Sequence, residues 1–151
     1  MDYYKFYIQK EATNAEVYEL GEKFGFYETS CNFYGGGAVK DVPSRNWYDE
    51  DGDDEYVPAT QKFKAYEMDV SFGYKGNQFS ANTALQSLKS YLSGGTMKVY
   101  DTYNRIGRQN VRFMEISDDA TLVRNSDDGD ILIVKIKFKV NDPVTDVVLT
   151  K

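Results

Sequence analysis

The sequence predicts a mainly β fold, an antiparallel β-sandwich or barrel with one packed amphipathic helix. Three observations support this fold class. Most of the long regular segments alternate apolar and polar residues, turn-forming residues recur at hairpin spacing, and one segment, residues 80–93, has a strong helical stripe. A chain of 151 residues fits a single domain spanning residues 1–151. A domain of that size buries about 70% of its unfolded surface, so it can form a core without disulfides or metals.

The amino-terminal part of the chain predicts a strand followed by a short helix. Residues 2–9 are dense in aromatic side chains, which favour a strand. A Thr-x-x-Glu capping box at residues 13–16 precedes apolar residues at helical spacing. We therefore expect a helix over about residues 14–24, ended by Gly25.

Residues 30–60 lack any periodic pattern and are expected to form a long extended arm. Three consecutive glycines, two prolines and an acidic run interrupt this segment. Long connections without regular structure are uncommon in compact domains and are usually functional or disordered. Aromatic residues nevertheless continue through the segment, and disordered linkers avoid such residues. We therefore expect the arm to be ordered and to pack on a surface.

The longest strand and the main helix of the fold are predicted next. Residues 61–75 alternate in polarity, which places an apolar set on one face of a strand. That set comprises Tyr66, Met68, Val70, Phe72 and Tyr74. Residues 80–93 predict the amphipathic helix, with Ser80 as its N-cap and two glycines as its stop. Its apolar stripe comprises Ala81, Ala84, Leu85, Leu88, Tyr91 and Leu92.

The remainder of the chain predicts strands joined by tight turns. The strands are expected at residues 96–103, 109–116, 131–140 and 144–149, with a short one beginning at Leu122. Residues 104–108 are expected to form the first turn, and residues 125–130 carry a hairpin signal. One face of residues 131–140 is wholly apolar, whereas the other has two isoleucines and then three lysines. The first part of this strand is therefore expected to be buried on both faces.

The residue types exclude several catalytic classes. The chain has no histidine and one cysteine, which excludes Cys/His zinc sites, Ser-His and Cys-His nucleophile pairs and an internal disulfide. The glycine run at residues 35–37, followed by Lys40, lacks the order of a phosphate-binding loop. Paired aspartates at residues 118–119 and 127–128 fit turn chemistry, and Cys31 is expected to be an inert thiol. We therefore expect no enzyme activity, no catalytic or metal site and no cofactor.

The net charge of the chain comes from one short segment. Of 24 acidic residues, six lie within residues 49–55, and without them the chain has 18 acidic and 18 basic residues. Six like charges repel, so the segment is expected to be extended unless a cationic surface receives it. It fits a solubilising loop, a docking arm or a calcium site. The EF-hand spacing fails because Thr60 stands where a bidentate Glu is required.

Two basic groups could receive the acidic segment of a neighbouring copy. One is the row of three lysines on the last long strand, and the other is a group of three arginines around Gly107. Both also fit a solvated outer face. Opposite charges on the arm and on these groups would suit a ring or stack of copies. The candidate interface residues are Trp47, Tyr48, Asp49, Glu50, Asp51, Asp53, Asp54, Glu55, Arg105, Arg108, Arg112, Lys135, Lys137 and Lys139.

The abundance of tyrosine favours a binding function but leaves its kind open. The chain has 13 tyrosines, more than one small core requires. Tyrosine is enriched at protein interfaces because it buries a large rigid ring and keeps a polar tip. Tyrosine and tryptophan also stack on sugar rings. A β-sandwich module that binds glycans or proteins is therefore the alternative to a subunit that assembles with copies of itself.

Hydropathy and charge limit the partners that we expect. No segment approaches the roughly 20 apolar residues of a membrane span, so we expect no membrane partner. The sequence pI is about 4.7, and an acidic protein lacks the positive field that binding to phosphates requires. Nucleic acid is therefore not expected as the main partner.

The order of elements in residues 61–151 resembles that of tailed-phage tail proteins. A long strand, an amphipathic helix, Gly94-Gly95, a strand, a hairpin around residues 105–108 and long terminal strands follow one another. This layout is similar to the β-barrel plus helix shared by tail-tube, tube-adaptor and distal-tail proteins.

The resemblance implies a non-enzymatic subunit that stacks in rings, often hexameric, around a channel. Such subunits reach their neighbours with loops and an extended arm, which is the role that residues 30–60 would take. The implied partners are copies of the chain itself and other virion tail proteins, with nucleic acid only passing through the channel. The implied location is the virion tail, after assembly in the host cytoplasm.

Overall fold

The computed structural model describes residues 5–31, 37–76, 78–117, 121–123 and 130–150, and these form a mainly β fold. The predicted fold class is confirmed by an antiparallel sheet with a helix packed on it. The strands are β1 Phe6–Lys10, β2 Val17–Glu19, β3 Tyr27–Cys31, β4 Ser44–Arg45, β5 Asp54–Glu55, β6 Tyr66–Gly76, β7 Met97–Asp101, β8 Ile106–Ile116, β9 Thr121–Val123 and β10 Asp130–Val140. The helices are α1 Leu20–Phe24 and α2 Gln78–Leu92.

The main sheet is curled rather than flat. Its strands follow the order β2-β1-β7-β8-β10-β6-β3, with β9 paired to β10, and every pairing is antiparallel. Three strands separate β1 from β6, yet the rings of Phe6 and Phe72 on these strands lie 5.3 Å apart. The five-residue helix α1 connects the two edge strands, β2 and β3. A connection that short requires the two edges to lie near each other.

One hydrophobic core fills the concave side of the sheet. Alternating residues of β6 and β10 point into it, and the middle of each strand is fully buried, as at Val70 and Ile136. The predicted apolar face of β6 is confirmed, with Tyr66 and Tyr74 half-buried at its ends. The prediction that the first part of β10 is buried on both faces is wrong, because Ile133 is exposed on the outer face.

Helix α2 covers the core as its apolar stripe predicts. Leu88 and Leu92 are buried among the strand residues, and Gly95 follows the helix with a φ of 83°. The helix begins at Gln78, so Ser80 lies inside it and is not its N-cap. No helix in the described parts of the chain has the length and apolar character needed to cross a membrane.

The predicted helix over residues 14–24 is wrong in its first half. Residues Val17–Glu19 form strand β2, which pairs with β1, and the helix begins only at Leu20. Asn14 has a φ of 61°, a conformation that suits the turn between two strands and not the start of a helix. The predicted end is confirmed, because Gly25 has a φ of 80°, its backbone N–H donates to the carbonyl of Gly21, and the N–H of Phe26 donates to the carbonyl of Leu20.

The predicted terminal strand at residues 144–149 is also wrong. This segment has no strand pairing, but it packs along β8, where the backbone N–H of Val147 donates to the carbonyl of Gly107. Gly107 is buried, and a Cβ there would lie 1.9 Å from the carbonyl oxygen of Val147. Close backbone contact therefore holds this segment, together with the buried side chain of Leu149.

The other turns and strands follow the predictions with shifted bounds. The first turn lies at residues 102–105, before β8 begins at Ile106. Strand β9 confirms the short strand near Leu122. The hairpin signal at residues 125–130 and the paired aspartates fall almost entirely outside the described residues.

Candidate functional site

The described part of the extended arm expected over residues 30–60 is ordered, and it includes a two-stranded ribbon. Ser30 and Cys31 belong to β3, and residues 32–36 lie outside the described residues. Beyond them, the N–H of Lys40 donates to Lys62 at 2.7 Å, and the short strands β4 and β5 pair farther along. We call residues 38–64 the arm ribbon.

The acidic end of the arm ribbon is an ordered loop. Trp47 Nε1 donates to Asp54 Oδ2 at 2.8 Å, and the guanidinium of Arg45 lies 5.6 Å from the centre of the Trp47 ring. The backbone N–H of Glu50 donates to the Trp47 carbonyl, and Gly52 takes a φ of 79°. We call residues 47–55 the arm tip. Its carboxylates are presented on a closed loop and not on a loose strand.

The outer part of the arm ribbon is not covered by its own chain. Every residue from 43 to 57 is exposed, and Tyr48 is fully so. Large apolar side chains exposed together on one segment are typical of interaction sites. The large apolar side chains exposed on the ribbon are Val39, Trp47, Tyr48, Tyr56, Val57 and Phe63. The surface on which the arm was expected to pack is therefore not found in the described parts of this chain.

A concave surface lies beside the arm tip. It has a volume of about 530 Å³ and combines aromatic, acidic and basic groups. Aromatic rings beside carboxylate and guanidinium groups can hold a polar ligand by stacking and hydrogen bonding. The lining residues are Pro43, Ser44, Arg45, Trp47, Asp54, Glu55 and Tyr56.

The middle lysine of the β10 row already has partners in its own chain. Lys137 Nζ lies 3.7 Å from Glu67 Oε2 on β6 and 3.6 Å from Glu115 Oε1 on β8. The charges of Glu67 and Glu115 raise the pKa of Lys137, with a further contribution from Asp69. Lys137 is therefore partly neutralised on the outer face of the sheet.

Arg112 and Lys139 lie side by side on the same outer face. They are direct cross-strand partners in the register of β8 and β10, and the adjacent Val111 and Val140 point into the core. Neither cation forms an ion pair with any residue that the structure describes. We call Arg112 and Lys139 the cation pair. Lys135 is exposed on β10, two residues before Lys137.

The two remaining arginines do not join this surface group. The side chain of Arg108 is 13% exposed, and its Nη1 donates to Asp146 and to the carbonyl of Gly107. Arg105 lies exposed in the turn before β8, with a φ of 57°. The structure thus groups the acidic residues at the arm tip and groups some of the basic residues on the sheet. Whether these residues form an interface stays a prediction.

A buried acidic cluster was missed by the sequence interpretation. Glu28 on β3, Cys31 on the same strand and Asp101 on β7 place one oxygen or sulfur atom each within 4.8 Å of one another. Asp101 is fully buried and accepts hydrogen bonds from the Tyr103 backbone N–H and from Asn104 Nδ2. No local pattern could reveal the cluster, because β3 and β7 lie far apart in the chain and are not neighbours in the sheet.

The cluster holds a proton at neutral pH. Burial, a side-chain hydrogen bond to Asp101 and the charge of Asp101 raise the pKa of Glu28 to about 9. Its Oε2 atom is buried without a hydrogen-bond partner among the described residues, which further disfavours the ionised form. Protonated Glu28 can therefore donate to Asp101 and bridge two strands across the curled sheet.

The same surroundings make Cys31 unreactive and disfavour a metal. Burial, reinforced by the charges of Glu28 and Asp101, raises the pKa of the Cys31 thiol far above its usual range. Thiolate is the reactive and metal-binding form of cysteine, and metal ligands must be deprotonated. The spacing of the three groups would suit a metal ion, but the raised pKa values of Glu28 and Cys31 disfavour the deprotonated forms that a metal requires.

Comparison with known proteins identifies the fold. No protein-family model matches the chain, and no curated protein matches it. A solved structure that matches is the Dit protein (gp 19.1) of phage SPP1, a paradigm of the hub adsorption apparatus in phages that infect Gram-positive bacteria. The TM-score is 0.58 at 14% sequence identity, over 91% of this chain and 50% of the Dit chain. The two proteins share a fold.

This match confirms the resemblance to tail proteins at the level of fold. It covers more than the predicted residues 61–151 and so includes much of the amino-terminal part. The chain spans about half the length of the Dit protein, and the other half of Dit is not matched.

Proposed function

We propose that this chain is a non-enzymatic structural subunit of a phage or prophage virion tail. The observation that carries the proposal is the fold shared with the SPP1 Dit protein over 91% of the chain. In general terms, the proposed role is a structural one in a tail. More specifically, we propose assembly in rings, of the tail-tube, tube-adaptor or neck type, through the arm and through contacts at sheet edges.

The arm ribbon supports assembly with other chains. It exposes aromatic and aliphatic side chains and carries six carboxylates at its end, and both features suit a contact surface more than a solubilising loop. The sheet also has two edge strands, β2 and β3, at which another strand could pair. The proposed partners are copies of the chain, in a ring that is hexameric in many tail proteins, and other virion tail proteins. Nucleic acid would only pass through the channel.

A structural role agrees with the chemistry of the titratable groups that the structure describes. The one thiol is held protonated, and Glu28 holds a proton beside Asp101, which has no exposed surface. A buried carboxyl pair whose members hydrogen-bond to each other can stabilise the fold, but it is not accessible to a substrate. We therefore assign these groups to the interior of the subunit and infer no bond-making step.

Immunoelectron microscopy of virions tests the proposal. Antibodies raised against the purified chain, and gold-labelled, are applied to particles released from a host that carries the gene. We expect gold at the tail, and we expect peptides of the chain in a tail fraction analysed by mass spectrometry. Label confined to capsids, or peptides found only in the host cell fraction, would overturn the tail assignment.

Glycan binding is the second candidate function, favoured by the concave surface beside the arm tip. Trp47 and Tyr56 line this surface together with Asp54 and Arg45, and such groups can stack on a sugar and bond its hydroxyls. Trp47 is the single tryptophan, so its fluorescence reports on that site alone. A saturable change in emission on titration with bacterial cell-wall polysaccharide would favour this function, and a flat titration across polysaccharides would exclude it.

A further inference from the structure

We propose that the arm tip of one copy docks on the cation pair, Arg112 and Lys139, of a second copy. This inference rests on the proposed function, because it names the partner and the surface that the arm of a tail subunit would contact. It is narrower than the sequence hypothesis, which treated six basic residues as equivalent.

The cation pair is unfavourable in the isolated chain. Like charges directly opposite each other on neighbouring strands repel, and directly opposite Cβ atoms lie only about 5 Å apart. Lys139 has Glu67 as its partner on β6, but the described ion pair of Glu67 is with Lys137. A docked carboxylate would turn the repulsion between Arg112 and Lys139 into two attractions. This site on the described outer face would therefore gain from an anionic partner.

Two of the other candidate receivers, Lys137 and Arg108, already have carboxylate partners. Lys137 has two carboxylates within 4.0 Å, and Arg108 is largely buried against Asp146. An incoming carboxylate at either residue would compete with an existing partner and approach other negative charges. Lys135 is exposed on β10 and would add to the attraction at the edge of the site.

The arm tip is built to make this contact without first being ordered. The bond between Trp47 and Asp54 closes its loop, so little conformational entropy is lost on docking. Four exposed carboxylates stand between these two residues, at Asp49, Glu50, Asp51 and Asp53. Tyr48 is fully exposed beside them and can place its ring over the Arg112 guanidinium.

The distribution of charge between the arm tip and the rest of the chain favours a second copy as the partner that binds the cation pair. Residues 49–55 carry the whole net charge of −6, and the rest of the chain is neutral, so two arm tips repel each other. The arm tip and the cation pair are different surfaces, which makes the contact heterologous. Heterologous contacts close into rings when the rotation between copies allows it.

Charge reversal in mixed copies tests the contact. The receiver variant is Arg112→Glu with Lys139→Glu. The tip variant replaces Asp49, Glu50, Asp51 and Asp53 by lysine, so that residues 49–55 keep two carboxylates and gain four ammonium groups. The control variant, Lys75→Glu with Lys89→Glu, makes the same change of charge as the receiver variant at two exposed lysines of β6 and α2. Self-association is measured by sedimentation velocity at about 50 mM and about 500 mM salt, which changes the Debye length about threefold. Circular dichroism verifies that each variant is folded.

We expect the wild type and the control variant to associate at low salt and to dissociate at high salt. The receiver variant and the tip variant should each associate at least about tenfold more weakly. An equimolar mixture of these two variants should recover association, because each contact then joins opposite charges. Recovery in the mixture cannot arise from a general loss of folding.

Unchanged association of the receiver variant, or a mixture that stays dissociated, would overturn the contact. A wild type that remains monomeric at both salt concentrations would overturn the choice of a second copy as partner. None of these results bears on gold labelling of virions, so failure of this inference and failure of the proposed tail role are separate outcomes.

Discussion

The buried pair of Glu28 and Asp101 predicts that the protein loses stability as the pH rises through neutrality. The pKa of Glu28 is about 9 in the folded chain, against 4.5 for the ordinary group. Between these values the folded state keeps a proton that the unfolded state has lost. The contribution of Glu28 to stability is therefore fully present below about pH 4.5 and is lost as the pH rises toward 9.

The size of the effect follows from one proton. A difference of one bound proton changes the free energy of unfolding by about 1.4 kcal/mol for each pH unit, or about 2.7 kcal/mol between pH 6 and pH 8. Because Glu28 is partly exposed, water screens the pair, and we expect about half of this value. Glu28→Gln keeps a donor for Asp101 but cannot ionise. It should therefore flatten the profile and exceed the wild type in stability at pH 8 by about 2 kcal/mol, since the loss accumulates from pH 4.5.

Urea denaturation at several pH values measures this difference. The free energy of unfolding is obtained between about pH 5 and pH 9 for the wild type, Glu28→Gln and a control, Glu50→Gln, at the exposed arm tip. The control should keep the slope of the wild type. Parallel profiles for the wild type and Glu28→Gln would refute the protonation of Glu28 in the folded chain, since the slope attributed to Glu28 would then come from other groups.

Three further predictions concern packing and the arm. Gly107→Ala should destabilise the fold by about 1–3 kcal/mol, because its Cβ would collide with the backbone of Val147. The control, Gly37→Ala, should have little effect, because no atom lies within 4 Å of the added Cβ. Urea denaturation measures the free energy of unfolding of both variants. Phe72→Ala should cost about 3–5 kcal/mol in the same assay, because the ring is fully buried against β1. Replacement of residues 48–53 by Asn-Gly should leave the melting temperature within a few degrees of the wild type, because the chain does not cover the arm tip. A large fall in melting temperature would mean that the tip supports the fold.

The sequence was most informative where a local pattern and the final packing agree. The alternation of apolar and polar residues in β6 and β10 identified the face that forms the core. Successive side chains of a strand point to opposite faces whichever strands lie beside it. The apolar stripe of α2 was equally direct. Both elements are long, so their own residues determine most of their burial.

The prediction failed where distant contacts decide a short element. Val17, Leu20 and Phe24 have helical spacing, but pairing with β1 makes residues Val17–Glu19 a strand. Tyr18 then packs its ring 5.6 Å from the ring of Tyr91 on α2. Nothing in the local sequence specifies that pairing, and the apparent capping box describes a turn.

The site was only half predictable for the same reason. Charge counting found the acidic tip and the lysine row, because both are runs in the sequence. It could not separate Lys137, which Glu67 and Glu115 neutralise, from Arg112 and Lys139, because that distinction depends on strand register. The contact between Glu28 and Asp101 depends on the curl of the whole sheet.

The combination of apolar and acidic groups on the arm ribbon restricts what it can bind. Exposed rings such as Tyr48 and Tyr56 would by themselves promote indiscriminate association. Six carboxylates at the same end make contact between two arms repulsive, and they penalise any acidic or uncharged apolar surface that would have to desolvate them. The arm can therefore use its rings only on a partner that also presents cations. In this chain the outer face of β8 and β10 presents two such cations, because Arg112 and Lys139 lie side by side there and form no ion pair with a described residue.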